Sequence, residues 1–399
     1  MNIAFINNSR SFKNASLKCY TSNPGIGGTE YVTFKLICEL AIRNPKWDFH
    51  LVTKQQLIND SDLQNVHIDN GSSDIDYDVC IVPTSYNKFF KELKLKYKKA
   101  YAWSHHPHDQ CGMNNLLFDG FISIGQYQYY SNYFRFGPHL LLENPFPQPQ
   151  LQTHKAKECH TPNDPLTFVY LGGVNPAKGL HKVILNWPAV SLQHPNSTLN
   201  IIGGDLYNEE NAMSEDCLLV GGSYGQKLKK VFNSIPKHAR NKITFHGKIN
   251  QSKVHNLLMK SNIALLNPTG KSEAAPASPL ECACYAIPTV AGADFGMADI
   301  MELYKSLDVK KYRYEDISER LKNREYVRVL QKKSLEYAKQ NYSKNEAIYR
   351  NWYTLLMSKS PPSPKIKNFK LFKISIRSFN YRYPRRFAKF LLSNVPSLP

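Results

Sequence analysis

The sequence contains no run of about 18 apolar residues, the length a membrane-crossing helix requires, although 42% of its residues are hydrophobic. The first residues, MNIAFINNSR, lack a basic start followed by a long apolar run. They read as a first strand and not as a secretory signal. Cysteine frameworks are missing too. The eight cysteines are scattered, and only Cys282 and Cys284 are close. One intervening residue is not a usual zinc-finger or redox spacing. The expectation is reduced thiols in a cytoplasmic protein. No internal repeat of about 20–50 residues is visible, which argues against a solenoid or propeller.

Acids are the scarcest charge. Asp and Glu number 32 against 51 Lys and Arg, a formal net charge of +19. From Pro361 to Pro399 there is no acid at all, while nine basic residues fall between Lys365 and Lys389. Phe369, Phe372, Phe379, Tyr381, Tyr383, Phe387 and Phe390 interleave with them. Basic plus aromatic composition suits an anionic membrane surface, so peripheral contact at the inner face of a membrane is one expectation. A solvated tail is the plainer alternative. Nucleic acid is not expected as a partner, since charge alone suggests it and no base-reading motif accompanies the charge.

At 399 residues the chain is long enough for two domains. Asn2 to Ile6, Phe49 to Thr53, Val79 to Val82, Lys99 to Trp103 and Gly120 to Ile124 read as strands. Tyr31 to Ile42 has helical spacing. This rhythm indicates a parallel sheet wrapped by helices. Prolines 145, 147, 149, 162 and 165 then mark a linker. A second series follows, with strands at Leu166–Leu171, Thr198–Ile202, Ile243–His246, Ile263–Leu266 and Pro288–Ala291. The resulting division is 1–150, 165–340, a last helix in 341–360 expected to pack back toward the first domain, and the basic tail 361–399.

The segment Gly270 to Gly296 carries the most chemistry. Glu273 and Glu281 are separated by seven residues, between an apolar strand and a helix-like run from Leu280 to Tyr285. They therefore stand on a loop and the helix it opens, at the C-terminal edge of a sheet, where open α/β folds bind ligands. Carboxylates there accept hydrogen bonds from sugar or ribose hydroxyls. Gly25-Ile26-Gly27-Gly28-Thr29-Glu30 opens a helix and brings backbone amides close to a ligand. It lacks the spacing of a dinucleotide fingerprint. Trp103-Ser104-His105-His106-Pro107-His108-Asp109 ends a strand with three histidines and an acid. A metal is the lesser reading, because adjacent strand side chains point to opposite faces and no second His/Cys cluster supplies ligands. Gly172-Gly173-Val174-Asn175-Pro176-Ala177-Lys178-Gly179 follows the first strand of the second half, and a lysine there can neutralise a diphosphate. Asp60-Ser61-Asp62 and Asp74-Ile75-Asp76 lie in a polar loop and read as solvated.

Together these elements resemble glycosyltransferase family 4, the "group 1" retaining transferases of GT-B fold. The resemblance spans residue 1 to about 358 and is most specific from Leu166 to Gly296. It implies two Rossmann-like, doubly wound α/β domains facing a cleft. It also implies transfer of a sugar from a nucleotide-diphosphate donor to a glycan or lipid-linked acceptor, as in cell-surface polysaccharide or lipopolysaccharide synthesis. The nucleotide sugar is then a substrate, and neither cofactor nor metal is expected. By position, Glu273 faces the donor sugar, Glu281 binds ribose and Lys178 grips the phosphates. Gly27 and Gly28 form the glycine loop, at the cleft by the acceptor and the donor phosphates, and count as donor-binding, while either His105 or His106 approaches the reacting region. One departure stands out: Gly173 occupies the place where the family usually has arginine. That departure keeps a second reading open, a non-catalytic GT-B-like protein that binds nucleotide sugar or glycan.

Overall fold

A computed structural model of the chain describes residues 1–13, 15–21, 23, 26–58, 60, 62–106, 117–132, 138–145, 164–204 and 217–358. Most of the proline-marked linker, His108, Asp109, Gly25 and the basic tail lie outside the described residues.

Seven strands form the first sheet: β1 (Asn2–Ile6), β2 (Asp48–Val52), β3 (Val66–Asp69), β4 (Asp76–Pro83), β5 (Lys96–Ser104), β6 (Gly120–Ser123) and β7 (His139–Leu141). Five form the second: β8 (Thr167–Leu171), β9 (Thr198–Ile202), β10 (Ile243–Gly247), β11 (Ile263–Leu265) and β12 (Thr289–Val290). The spatial orders are β3-β2-β1-β4-β5-β6-β7 and β10-β9-β8-β11-β12, with every pairing parallel. The helices are α1 (Gly28–Arg43), α2 (Asn87–Leu93), α3 (Gln126–Asn132), α4 (Leu180–Gln193), α5 (Gly222–Ser234) and α6 (Lys237–Arg240). They continue with α7 (Gln251–Leu258), α8 (Ala277–Ala283), α9 (Met297–Met301), α10 (Tyr314–Leu321), α11 (Arg324–Ser343) and α12 (Asn345–Met357). None of them is long and apolar enough to cross a membrane.

Parallel sheets need both faces covered, so their central strands are apolar on both sides. In β1, Ile3 and Phe5 pack with Phe34 of α1 and Trp352 of α12. Ala4 and Ile6 point the other way, towards Val82 and the α2 residues Phe89 and Phe90. The direction of winding reverses between β1 and β4 in the first sheet and between β8 and β11 in the second. Crevices open at the C-terminal ends of strands at such reversals.

Several elements differ from their reading in the sequence. Strand β3 lies inside the stretch read as a polar loop. It is a half-exposed strand at the sheet edge, paired only with β2, and its sequence VHID lacks an apolar run. Helix α8 begins three residues before Leu280 and stops at Ala283, where Ala286 takes a left-handed conformation (φ 56°). Helix α11 has 20 residues on the second core, and the chain then crosses to the first domain as α12. There Trp352 is fully buried and meets Trp103 edge-on at 5.2 Å. Tyr353 stacks on Trp47 at 5.1 Å, and Glu346 pairs with Arg43 of α1 at 2.7 Å.

The anchor of α12 is Trp352. Trp352→Ala is expected to cost about 3–5 kcal/mol, the usual range for emptying a buried aromatic site, and to lower the melting temperature accordingly. Tyr353→Ala, at a residue 42% exposed, is expected to cost far less. Equal losses in thermal denaturation would mean that the tryptophan pocket does not hold the helix.

Candidate functional site

The glutamate loop starts at Asn267, two residues beyond β11. Asn267 is nearly inaccessible to solvent, and both ends of its side-chain amide and its carbonyl are engaged. Its Nδ2 donates to the Lys271 carbonyl at 2.9 Å and to Glu273 Oε1 at 3.1 Å. Its Oδ1 accepts from the Thr269 hydroxyl at 2.9 Å, and its carbonyl accepts from the amides of Gly270 and Gly292. Ser272 sits in the left-handed region (φ 61°) just before Glu273. A non-glycine residue there costs backbone energy, and the hydrogen bonds of Asn267 hold the turn in place.

The loop that carries Lys178 follows β8. Asn175 Oδ1 accepts the backbone N–H of Lys178 at 3.0 Å. Gly179 begins α4 with φ 71°, and a β-carbon on it would lie 2.6 Å from the Thr269 methyl. Only glycine meets both demands. The Thr269 hydroxyl also donates to the Ala177 carbonyl, tying the two loops together.

This tie brings Lys178 and Glu273 within 3.2 Å as a partly buried ion pair. Glu281, on α8, completes the cluster. Although the residue keeps some contact with solvent, the protein packed round its carboxyl pushes its pKa up to about 7. Lys178 pulls in the opposite direction without cancelling the burial. Three of the residues singled out in the sequence thus meet at the C-terminal ends of β8 and β11. Around Gly173 a β-carbon would meet nothing within 4 Å.

The other candidates belong to the first domain. Gly27 caps α1 and Gly28 is its first residue. Glu30, in the first turn, is buried, and its carboxylate already answers part of the positive end of that helix. A β-carbon on Gly27 would lie 2.1 Å from that carboxylate. His105 and His106 follow β5 and have different environments. The His105 ring meets Trp103 edge-on at 4.2 Å, and its Nε2 is buried without a hydrogen-bond partner. Burial, and secondarily His106, push its pKa down to about 3, so the ring is neutral. His106 is exposed, and its carbonyl accepts from Gln128 Nε2 at 2.9 Å.

The two halves touch through the residue after Glu273. Ala274 is 2% exposed and packs into the first domain's core. A β-carbon on Gly125, just past β6, would lie 2.2 Å from the Ala274 carbonyl oxygen. Tyr127 and Phe295 pack edge-on at 5.6 Å, and the Asn23 N–H donates to Gln251 Oε1 at 2.7 Å. Asn267 was not among the residues singled out from the sequence. Its place directly after an apolar strand and before Pro268 is the signal that could have found it.

Residues 152–341 match the family model described as glycosyl transferases group 1. No curated protein matches the chain in sequence. Among solved structures, the chain is similar to sucrose-phosphate synthase from Thermosynechococcus elongatus (14% identity, TM-score 0.60, covering 89% of this chain and 98% of that one). It is also similar to HepE of Anabaena in complex with UDP and glucose (13% identity, TM-score 0.57, 89% and 100%). A third is the trehalose-6-phosphate protein from E. coli bound with UDP-2-fluoro glucose (9% identity, TM-score 0.58, 91% and 100%). At such identities the likeness bears on fold. The chain has the GT-B fold, and its second half matches the group 1 glycosyl transferases.

Proposed function

We propose that this chain is a retaining glycosyltransferase of family 4 type, moving a sugar from a nucleotide-diphosphate donor to a hydroxyl of a glycan or lipid-linked acceptor. The observation that carries the reading is the cluster of Lys178, Glu273 and Glu281 at the strand ends of the second sheet. In such a transfer the bond from the anomeric carbon to the phosphate oxygen breaks. The acceptor oxygen bonds to that carbon, and the acceptor's proton leaves with the nucleoside diphosphate. Negative charge grows on the diphosphate, and a preorganised cation there lowers the barrier. Lys178 is the residue for that task. Glu273, already paired with Lys178, stands ready for the sugar hydroxyls, and Glu281 for the ribose hydroxyls. Gly27 and Gly28 take part in donor binding, in the cleft by the acceptor and the donor phosphates. His105, neutral and turned inward, and His106, exposed, remain the two alternatives for the reacting region.

A second reading is supported by a specific observation. Gly173 supplies no cation, and the charge of Lys178 is answered by Glu273. A GT-B-like protein that binds nucleotide sugar without turnover would fit this charge balance. Nucleotide-sugar binding with no transfer to any acceptor favours it.

The donor test is a thermal-shift screen against UDP-, GDP-, ADP- and CMP-sugars, with UDP-sugars first because two of the similar structures contain UDP or a UDP sugar. A ligand raises the melting temperature only by preferring the folded state. One nucleotide class is expected to stabilise the protein, and Glu281→Ala is expected to abolish the shift. Stabilisation that survives Glu281→Ala would remove the ribose role.

The pH dependence follows from the sign of the Glu281 shift. Its pKa is raised, so the folded protein holds a proton that the unfolded chain releases, and this contribution to stability is lost as pH rises towards 7. Ribose hydroxyls donate best to the ionised form. Nucleotide affinity is therefore expected to increase from about pH 6 to about pH 8, and Glu281→Gln is expected to flatten that slope in calorimetry. An unchanged slope would assign the titration elsewhere.

Gly173→Arg restores the family's cation in open space. A charge-assisted hydrogen bond contributes about 1.5–3 kcal/mol, so nucleoside-diphosphate affinity is expected to rise about tenfold or more. No gain would place the phosphates away from Gly173. For the basic tail we propose contact with an anionic membrane, resting on its composition. Deleting residues 361–399 is expected to abolish sedimentation with anionic vesicles, and unchanged binding would end the idea.

A further inference from the structure

Helices α4, α5 and α6 cover one face of the second sheet. The crossovers β8-α4-β9 and β9-α5-β10 step the same way across it, and right-handed connections place both helices on one side. The helices are joined there. His181 Nδ1 of α4 lies 3.1 Å from the Tyr224 hydroxyl of α5, and Trp187 Nε1 donates to the Ala239 carbonyl of α6 at 3.1 Å. Val183, Ile184, Trp187 and Val190 turn inward from α4 and fill the core.

The outward side of α4 lacks the polar residues that a solvated helix face carries. Lys182, Leu185, Ala189 and Leu192 follow one another at intervals of three and four residues and form one stripe. Leu192 is 74% exposed and Leu185 is 56% exposed, the two highest values for large apolar side chains among the described residues. A single exposed leucine needs no explanation. Two of them, two turns apart on one helix, make a continuous apolar edge.

The charge beside that edge has one sign. Residues 165–204 and 217–272 contain twelve lysines and arginines and no aspartate or glutamate. Lys227 and Lys230 of α5 and Lys237 and His238 of α6 are exposed. The Lys242 ammonium donates to the Pro195 carbonyl, just beyond α4. Five acids fall in 205–216, outside the described residues. The chain enters that segment from Gly204, whose carbonyl accepts the Val174 N–H beside the Lys178 loop, whereas Leu192 and α6 stand at the opposite end of the domain. On the other flank α10 meets α4, where Gln193 Nε2 donates to the Glu315 carbonyl at 3.3 Å. Its other acids are already answered, Asp316 by Arg313 and Glu319 by Lys322.

An apolar edge bordered by cations fits an anionic bilayer, where leucines enter the headgroup–acyl boundary and lysines meet the lipid phosphates. A second copy of this chain would bring like charges together. A nucleic acid would leave the leucines in water. We propose that the outer face of α4, α5 and α6 docks on an anionic lipid bilayer through Leu185 and Leu192. A single weak anchor attaches a protein only marginally, and stable attachment takes two. The acid-free tail proposed for membrane contact is the other anchor, so loss of either one releases the protein. Docking through α4 holds the second domain at the bilayer, with Lys178 two residues before that helix.

The test is co-sedimentation of the full chain with vesicles of equal parts phosphatidylcholine and phosphatidylglycerol, and with vesicles of phosphatidylcholine alone. Binding is expected to the anionic vesicles only. Leu185→Ser with Leu192→Ser, and separately Lys227→Glu with Lys237→Glu, are each expected to weaken it about tenfold or more. All four positions are exposed, so melting temperatures are expected to stay unchanged, and two independent pairs keep the test decisive if one fails to fold. Ile42→Ser with Lys46→Glu makes the same kinds of change on the first domain and is expected to leave binding intact. The proposal is overturned if the unaltered chain ignores anionic vesicles, if both variant pairs bind as it does, or if the first-domain pair weakens binding equally. It is also overturned if the serine pair keeps full binding while the glutamate pair loses it. The face would then be a general polyanion site, and salt-sensitive binding of an oligonucleotide would identify it as such.

Discussion

The wedging of Ala274 between the two domains governs the geometry of everything around it. Its carbonyl oxygen is approached by Gly125 from one side and by Gly296 from the other. A β-carbon on either would come within 2.2 or 2.4 Å of that oxygen. The Gly296 amide also donates to the Glu273 carbonyl at 2.9 Å. Glu273 is therefore carried by a loop gripped from both halves of the molecule. A change in the angle between the domains must move this loop, as happens where two domains share a site and close by hinge motion.

The same grip organises the charges. Asn267 and Thr269 join the loop after β11 to the loop after β8, and the Lys178–Glu273 pair follows from that joining. A salt bridge between exposed side chains would carry little weight. This one is partly buried, beside a glutamate whose ionisation is itself opposed by burial. The cluster is thus an unfinished electrostatic site: a single cation facing two carboxyls, with room at Gly173 for a further charge.

The architecture was largely legible in the sequence, because buried parallel strands are short apolar runs that composition cannot hide. Asn2 to Ile6 and Thr167 to Leu171 stand out in this way. Strand β3 was not legible, since an edge strand with half-exposed residues need not be apolar. The candidate cluster was legible where a motif carries it, since Lys178, Glu273 and Glu281 were all singled out and lie together in the fold. Asn267 was hidden, because a single asparagine after a strand is common, and its worth comes from partners four and six residues further on in a folded turn.

By itself the sequence determined the class of fold, the alternation of strands and helices, the positions of the glycines that permit close approach, and the candidacy of two glutamates and a lysine before glycine. These depend on local chemistry: period, apolar runs and backbone freedom. Only the tertiary structure decided which charges meet, that His105 is neutral and inward while His106 is exposed, and that Trp352 against Trp103 is the contact that anchors α12 on the first domain. Burial and proximity set these properties, and both arise from contacts between residues far apart in the chain.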